Sequence, residues 1–263
     1  QRKKPDFMRV AAFRKRLMLY TLMEVTLNDL DENGDSVDEE YYIKKAVRRA
    51  YRDASSHVLS IKEGKDDSRK NPCKKEEAIS AVVYEVKSIN NDYNNYECWH
   101  SHVCKDLTER IYNTYEVDYK GDDRTFSYGI AQKFVNMTIK YLVILYTVMK
   151  AMDTDKANRN YIKFYEKNLK KYEQDFHIPI DGYILESVSK DKAEILKNVI
   201  VKEKKKVKAW SKWEENDYNS FQAELKKIKA KDEYPLDWEG KTWIEIAKSR
   251  KEKIIYKKLT HST

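Results

Sequence analysis

The stretch Ser127-Tyr-Gly-Ile-Ala-Gln-Lys-Phe-Val-Asn-Met-Thr-Ile-Lys-Tyr-Leu-Val-Ile-Leu-Tyr-Thr-Val-Met149 predicts a glycine-initiated helix that becomes more apolar as it proceeds. From Tyr141 to Met149 only Thr147 interrupts the apolar side chains, so apolar residues fall on every side of the helix. A helix of that kind is buried among other elements. The sequence therefore predicts a buried central helix from Ile130 to about Met152, around which the chain is built.

The first two turns of this helix differ from its apolar body. Gln132, Lys133 and Asn136 place three polar side chains there. Because burying an unpaired charge is costly, we expect Lys133 to be exposed at a cleft, paired or functional.

Composition indicates an all-α protein. The 263 residues include only four Pro and six Gly, which argues against a chain with many tight β-turns. We expect an N-terminal helical part over residues 1–120 and a core with C-terminal helices over 121–263, together forming one compact unit. The formal charge of +8, from 52 basic and 44 acidic residues, favours a nucleic-acid partner.

Cysteine usage and hydropathy suggest a cytoplasmic protein. Three cysteines at uneven spacing do not form a disulfide framework, so a reducing compartment is expected. No signal peptide is expected, because the basic start of the sequence is not followed by an apolar run of the required kind. The apolar run of the central helix is about half of the ~20 residues that a membrane span needs, so no membrane is expected.

Hydrophobic spacing and capping residues predict the other elements. Asp181 is placed as the N-cap of a helix that follows an extended, proline-containing approach from Phe176. The connections are expected at residues 153–160 and 234–240. Helices are predicted over residues 6–30, 37–59, 76–89, 98–112, 161–172, 190–213, 218–230 and 243–259.

Residues 29–40 fit the calcium-loop pattern D-x-D-x-N-G-x5-E, from Asp29 to Glu40. The interpretation that we favour is a solvated turn whose Ser36 caps the next helix, with Glu39 completing a capping box. Ser36 stands where an apolar residue normally packs in a calcium loop, and no partner hand follows.

Four potential zinc ligands, Cys98, His100, His102 and Cys104, stand at alternate positions. At about 100° per residue, the first and third of them share one helix face, while the second and fourth share nearly the opposite one. They cannot close one tetrahedral site from a helix, so no metal site is predicted.

Arg52 and His57 resemble the active-site motif of HEPN-domain ribonucleases, in which Arg and His of paired helices attack RNA through its 2′-hydroxyl. The alternative is one helix surface that happens to carry both residues. A ribonuclease therefore stays as one possible function.

Two segments, Gly129-Ile-Ala-Gln-Lys-Phe-Val-Asn136 and Ile178-Pro-Ile-Asp-Gly-Tyr-Ile184, together resemble the core of the helix-hairpin-helix DNA glycosylases. That family shows G-[VI]-G-x-K-x-x-N before an apolar helix and [VI]-[PA]-[VI]-D before the next. This chain departs from the pattern at Ala131, and its Lys133 and Asp181 are 181 − 133 = 48 positions apart, farther than is usual for the family. A wider set of landmarks, including Trp238, resembles uncharacterised bacterial helical proteins and implies no activity.

The resemblance implies an oxidised-guanine glycosylase-like fold and a catalytic pair, Lys133 as nucleophile and Asp181 as its partner. It implies double-stranded DNA with a damaged base as substrate, and no cofactor. DNA contacts are expected from the residues around the hairpin, Tyr128, Gly129, Ala131, Gln132 and Asn136.

Two alternatives to catalysis remain open. In the first, the protein keeps the fold as a binding module for DNA ends, a nucleotide or another protein, for example in phage defence. In the second, Gly129 simply starts a buried helix, Lys133 pairs with a carboxylate, and Asp181 only caps another helix.

Overall fold

The structure, a computed structural model, describes residues 38–55, 72–111, 117–119, 122–124, 126–152, 156–191, 202–203, 206–228 and 233–260. Its α-helices are α1 Glu39–Ser55, α2 Pro72–Asp92, α3 Tyr96–Lys105, α4 Tyr128–Met152, α5 Lys156–Asn168, α6 Gly182–Asp191, α7 Glu215–Ile228 and α8 Pro235–Thr260. A π-helical segment, Asp106–Ile111, follows α3, and 3-10 turns cover Lys170–Tyr172 and Trp210–Lys212.

Strands are confined, within the described ranges, to two small antiparallel hairpins. β1 Val117–Tyr119 pairs with β2 Asp122–Arg124, and β3 Lys202–Glu203 pairs with β4 Lys206–Val207. The prediction of an all-α protein is therefore confirmed.

The chain forms two compact units, and the central helix α4 belongs to both. The first unit comprises the residues up to Phe126 together with Phe134–Tyr172, and the second comprises Ser127–Lys133 together with the residues from Glu173 onwards. Both units are thus discontinuous in sequence.

In the first unit, the body of α4 is part of the core, as its all-round apolar character predicts. Phe134, Leu142 and Leu145 are buried. Tyr161 of α5 is also fully buried and donates its hydroxyl to the Leu142 carbonyl at 2.7 Å. Burial raises the pKa of the Tyr161 hydroxyl well above its ordinary value.

Helices α1 and α2 join this core through apolar stripes at helical spacing. The fully buried residues of α1 are Tyr42, Ile43, Ala46, Val47 and Ala50, and those of α2 are Ala78, Ile79, Val82, Val86 and Ile89. At the surface, Lys87 Nζ of α2 lies 2.6 Å from Glu40 Oε2 of α1. This hydrogen bond lowers the pKa of Glu40 and raises that of Lys87.

Residues Tyr128–Ala151 of α4 are, in the described part of the chain, the single helix long and apolar enough to cross a membrane. Their most apolar window has a mean hydropathy of 1.2, and 61% of that window is buried inside the protein. The core helix of a globular protein meets the same criterion.

In the second unit, α7 buries Tyr218, Phe221, Gln222 and Leu225, which share one helix face. The Phe221 ring lies edge-on to Trp213, with centroids 5.1 Å apart. This contact secures the end of the short turn that precedes α7.

Several predicted elements were wrong. No long helix covers residues 190–213: α6 extends to Asp191, and the described residues after it form the β3–β4 hairpin and the turn Trp210–Lys212. Helix α5 begins at Lys156 within the expected connection, and Pro235 begins α8, because proline fits the first helical position. Asp38 caps α1, since Asp38 Oδ1 accepts the Tyr41 N–H at 3.1 Å. Ser36, the cap expected from the sequence, lies outside the described residues.

Candidate functional site

The start of α4 is closed by contacts within the chain. Gly129 donates its N–H to the Trp213 carbonyl at 2.9 Å. The Ile130 N–H is accepted by the Ser127 hydroxyl at 3.2 Å, and that hydroxyl donates to the Ser211 carbonyl. The Ala131 N–H bonds to the Ser127 carbonyl at 3.0 Å. The N–H groups with which a helix start would bind phosphate therefore already have partners.

Gly129 is needed at this position because the turn Trp210–Lys212 lies directly against it. A Cβ atom on residue 129 would stand 1.9 Å from the Trp210 carbonyl oxygen. Real carbon–oxygen contacts are never so short, so any larger residue would push the turn away. Gly129 thus permits a close approach of backbone to backbone.

Two buried glutamines hold the extended segment that leads to Asp181. Gln222 of α7 donates to the Ile178 carbonyl at 2.6 Å and accepts the Ile178 N–H at 3.3 Å. Gln132 of α4 does the same for Ile180, with both distances 3.4 Å. Each side-chain amide thus makes the two hydrogen bonds that a neighbouring β-strand would make. The buried N–H and carbonyl groups of Ile178 and Ile180 therefore have partners although they belong to no sheet.

The two carboxylate oxygens of Asp181 have separate partners. Oδ1 accepts the N–H groups of Tyr183 and Ile184 at 2.8 and 3.1 Å, which makes Asp181 the N-cap of α6. This confirms the capping position predicted from the sequence. Oδ2 lies on the side of Lys133.

Lys133 and Asp181 come together in the second unit. The Lys133 Nζ lies 4.0 Å from Asp181 Oδ2, and the two side chains are 12% and 19% exposed. The same Nζ lies 4.7 Å from the centroid of the Trp210 ring. An ammonium group is stabilised both by the carboxylate and by the face of the indole. The pair is thus partly buried but still reached by solvent.

The structure places the other expected DNA-contact residues in the interior. Ala131 and Gln132 are fully buried, and Tyr128 is buried with its ring 5.6 Å from that of Tyr218. In this structure each of them packs or hydrogen-bonds within the second unit.

Asn136, the remaining expected contact, lies in the first unit and is fully buried. Its Oδ1 lies 3.0 Å from Nε2 of the buried His100, and Cys104 Sγ lies 3.8 Å from the same His100 atom. The Asn136 side chain therefore provides a hydrogen-bond partner for the buried ring of His100 in α3.

The metal-ligand pattern of the sequence does not assemble. Residues 96–105 are helical, as predicted, with Cys98 exposed and Cys104 buried. Across the described residues no three His, Cys, Asp or Glu side chains group as a metal site would require.

The two remaining motifs cannot be located in full. Arg52 is exposed on α1. His57 and residues 29–37 of the calcium-loop pattern lie outside the described residues.

Sequence reasoning missed two contributors to the site, Trp210 and Gln222. Trp210 lies in a segment that was predicted to be helical. Local sequence patterns do not indicate that its ring contacts Lys133, which is 210 − 133 = 77 positions away in the chain. Gln222 reads as one polar residue of an amphipathic helix, although it stands on the apolar face with Tyr218 and Leu225. A glutamine on an apolar stripe is the signal that could have identified it, because a buried amide requires partners.

Fold and site together define an all-α protein with a partly buried lysine–aspartate pair at a helix start. No protein-family model, no curated protein and no solved structure matches the chain.

Proposed function

We propose that the chain is a DNA-binding protein of the helix-hairpin-helix glycosylase type, in which Lys133 is an amine nucleophile and Asp181 its electrostatic partner. The observation that carries this proposal is the 4.0 Å approach of Lys133 Nζ to Asp181 Oδ2. Helix α4 and the start of α6 bring together two residues far apart in sequence, and both remain accessible. The formal charge of +8 supports an anionic partner.

The proposed reaction takes place at a damaged nucleotide flipped out of the duplex. The Lys133 ammonium first gives up a proton to solvent, and the neutral amine then attacks C1′. The bond from C1′ to the base breaks, and the base leaves with the electron pair and takes a proton from the amine nitrogen. The C1′–O4′ bond then opens, O4′ gains a proton from water, and a positively charged C1′=N Schiff base forms. The Asp181 carboxylate stabilises the positive charge that develops at the sugar.

Strand cleavage follows from the same intermediate. Water takes a C2′ proton from the Schiff base, a C2′=C3′ double bond forms, and the C3′–O bond breaks. The 3′ phosphate leaves with the electron pair of that bond, which cuts the strand.

Borohydride trapping tests this proposal. Hydride adds to C1′ of the Schiff base and leaves a stable secondary amine, so wild-type protein is expected to form a covalent adduct with duplex DNA that carries an oxidised base or an abasic site. Lys133→Gln should form none. The matched control, Lys140→Gln, changes another lysine of the same helix and should leave trapping intact.

Two results would overturn the catalytic proposal. One is the absence of any adduct of the wild-type protein across oxidised, alkylated, deaminated and abasic duplexes. The other is an adduct of equal yield with Lys133→Gln, which would place the nucleophile elsewhere.

A non-catalytic binding module is the second candidate, and the closed start of α4 favours it. The Gly129 N–H donates to the Trp213 carbonyl, so this N–H can bind a DNA phosphate only after a rearrangement. This candidate expects salt-sensitive binding of DNA, or binding of a nucleotide or a protein, that survives Lys133→Ala. Loss of binding in Lys133→Ala at constant salt would count against it.

A further inference from the structure

Exposed apolar side chains concentrate near the start of α8. Of the four large apolar side chains that are well exposed among the described residues, Tyr234, Trp243 and Ile244 lie there, and the fourth is Tyr84 of the first unit. The buried stripe of α8 consists of other residues, Leu236, Glu239, Thr242 and Ile246. Clustered exposed apolar groups with polar neighbours are typical of binding surfaces.

Trp243 forms the end of an ordered stack of planar groups. Its ring is stacked on Tyr183, with centroids 4.7 Å apart and an interplanar angle of 25°. The Arg250 guanidinium carbon lies 4.0 Å from the centroid of the same tyrosine ring. Trp243 and Arg250 are about 10 Å apart along the axis of α8, so they cover opposite faces of Tyr183.

The inner end of the stack is fixed by an ion pair. Arg250 Nε donates to Glu186 Oε2 of α6 at 2.7 Å. Tyr183 is anchored through its backbone, since its N–H bonds to Asp181. Trp243 keeps 36% of its surface exposed although Tyr183 covers one indole face. A rigid aromatic surface of this kind loses little conformational entropy when another planar group is added to it.

Exposed lysines lie beside the stack, further along α8 than Trp243. Ile244, Lys248 and Lys251 are exposed and lie on one helix face at spacings of four and three residues. In sequence, residues 241–260 of α8 include seven basic residues and two acidic ones. Two of the seven, Lys241 and Arg250, pair with Glu233 and Glu186. An aromatic group followed by lysines suits a ligand with alternating bases and phosphates better than it suits an apolar peptide.

We infer that Trp243 is a stacking site for an unpaired base of single-stranded DNA, with Lys248 and Lys251 contacting the neighbouring phosphates. This site needs no damaged base and no covalent step, so it goes beyond the proposed reaction of Lys133. Stacking on an indole tolerates any base, because every base has a π-face.

The test compares two oligonucleotides of equal length and charge, oligothymidine and a chain of tetrahydrofuran abasic analogues, which have no aldehyde for Lys133 to attack. Fluorescence anisotropy should show wild-type protein binding oligothymidine roughly 5- to 150-fold more tightly, the range that stacking of one base supplies. Trp243→Ala should bind both oligonucleotides equally, and Trp243→Phe should retain part of the preference. Replacing Lys248 and Lys251 by glutamine should weaken both equally and reduce the salt dependence.

The matched control is Tyr84→Ala, which removes an exposed aromatic ring of the first unit and should leave both affinities unchanged. Equal affinity of wild-type protein for the two oligonucleotides would overturn the inference, as would an unchanged preference in Trp243→Ala. Self-association of the wild-type protein that Trp243→Ala abolishes would also overturn it, because the surface would then join two copies of the chain. Borohydride trapping is read independently, so failure of this site and failure of the proposed reaction are distinguishable.

Discussion

Gln132 pairs through its side-chain amide with both backbone groups of Ile180, and this pairing decides which residues face each other one position further along the chain. Lys133 follows Gln132, and Asp181 follows Ile180. A second glutamine holds the extended segment two residues earlier, so the segment cannot slide along α4 without breaking bonds to two helices. The uncharged side chains of Gln132 and Gln222 thus fix the distance between Lys133 and Asp181.

Gln132→Leu should destabilise the protein. Leucine is of similar size but removes the partners of the Ile180 N–H and carbonyl and of the Gly129 carbonyl, which accepts from Gln132 Nε2 at 2.7 Å. We expect the free energy of unfolding to fall by about 1–3 kcal/mol or more, measured by urea denaturation. The exposed Gln174→Leu is the control and should change it by no more than about 0.5 kcal/mol. Equal effects of the two substitutions would refute the role given to Gln132.

Gly129→Ala should destabilise the second unit by about 1–3 kcal/mol, because the new methyl group would collide with the Trp210 carbonyl. Gly182→Ala is the matched control: nothing lies within 4 Å of its added Cβ. At that first position of α6, alanine is expected to be neutral or to stabilise by up to about 1 kcal/mol. Thermal unfolding measures the stability of both variants. An unchanged stability of Gly129→Ala would show that the turn Trp210–Lys212 moves away at no cost and would contradict the prediction.

Two substitutions of Asp181 should separate its capping role from its charge. Asn keeps an oxygen that can accept the Tyr183 and Ile184 N–H groups, so Asp181→Asn should retain nearly wild-type stability. Asp181→Ala removes the cap and should lower the free energy of unfolding by about 0.5–2 kcal/mol. Both should reduce borohydride trapping, since both remove the carboxylate from Lys133. If Asp181→Asn destabilised the protein as much as Asp181→Ala, the cap would depend on the negative charge of the carboxylate and not only on an oxygen that accepts hydrogen bonds.

Tyr161→Phe tests the buried hydroxyl of the first unit. At neutral pH the loss of its hydrogen bond to the Leu142 carbonyl should cost about 0.5–1.5 kcal/mol or more. The folded-state pKa of this tyrosine is raised, so its contribution is complete below the unfolded pKa of about 10 and is lost as pH rises above it. The difference in stability between wild type and Tyr161→Phe should therefore shrink above pH ~10. Urea denaturation at pH 7 and 10.5 measures this, and a constant difference would contradict it.

The elements with a strong local pattern were predictable from the sequence. The apolar run from Tyr141 to Met149 identified the central helix, and it is buried as expected. Asp181 after an extended proline-containing segment was correctly placed as a cap. Spacing also predicted that Cys98 and His100 lie in a helix, and both belong to α3.

The segment from Lys190 to Trp213 shows where local pattern fails. Its lysines and glutamate favour a helix, but the carbonyls of Ser211 and Trp213 are used by Ser127 and Gly129. Contacts between residues more than eighty positions apart thus outweigh intrinsic propensity, and no window of the sequence contains both partners. The partner of Gln222 was missed for the same reason, since Ile178 stands 44 positions earlier in the chain.

Helix α4 belongs to both units, and this places residues of the first unit between Lys133 and Asp181 in the sequence. Residues 127–133 of this helix segment belong to one unit and residues 134–152 to the other, so no single cut separates the two units. A fragment that begins at Glu173 lacks Lys133, and one that ends at Tyr172 has Lys133 without Asp181. A continuous piece of the gene that carries both Lys133 and Asp181 therefore also carries residues 134–172 of the first unit, so the pair is inherited together with that part of the first unit.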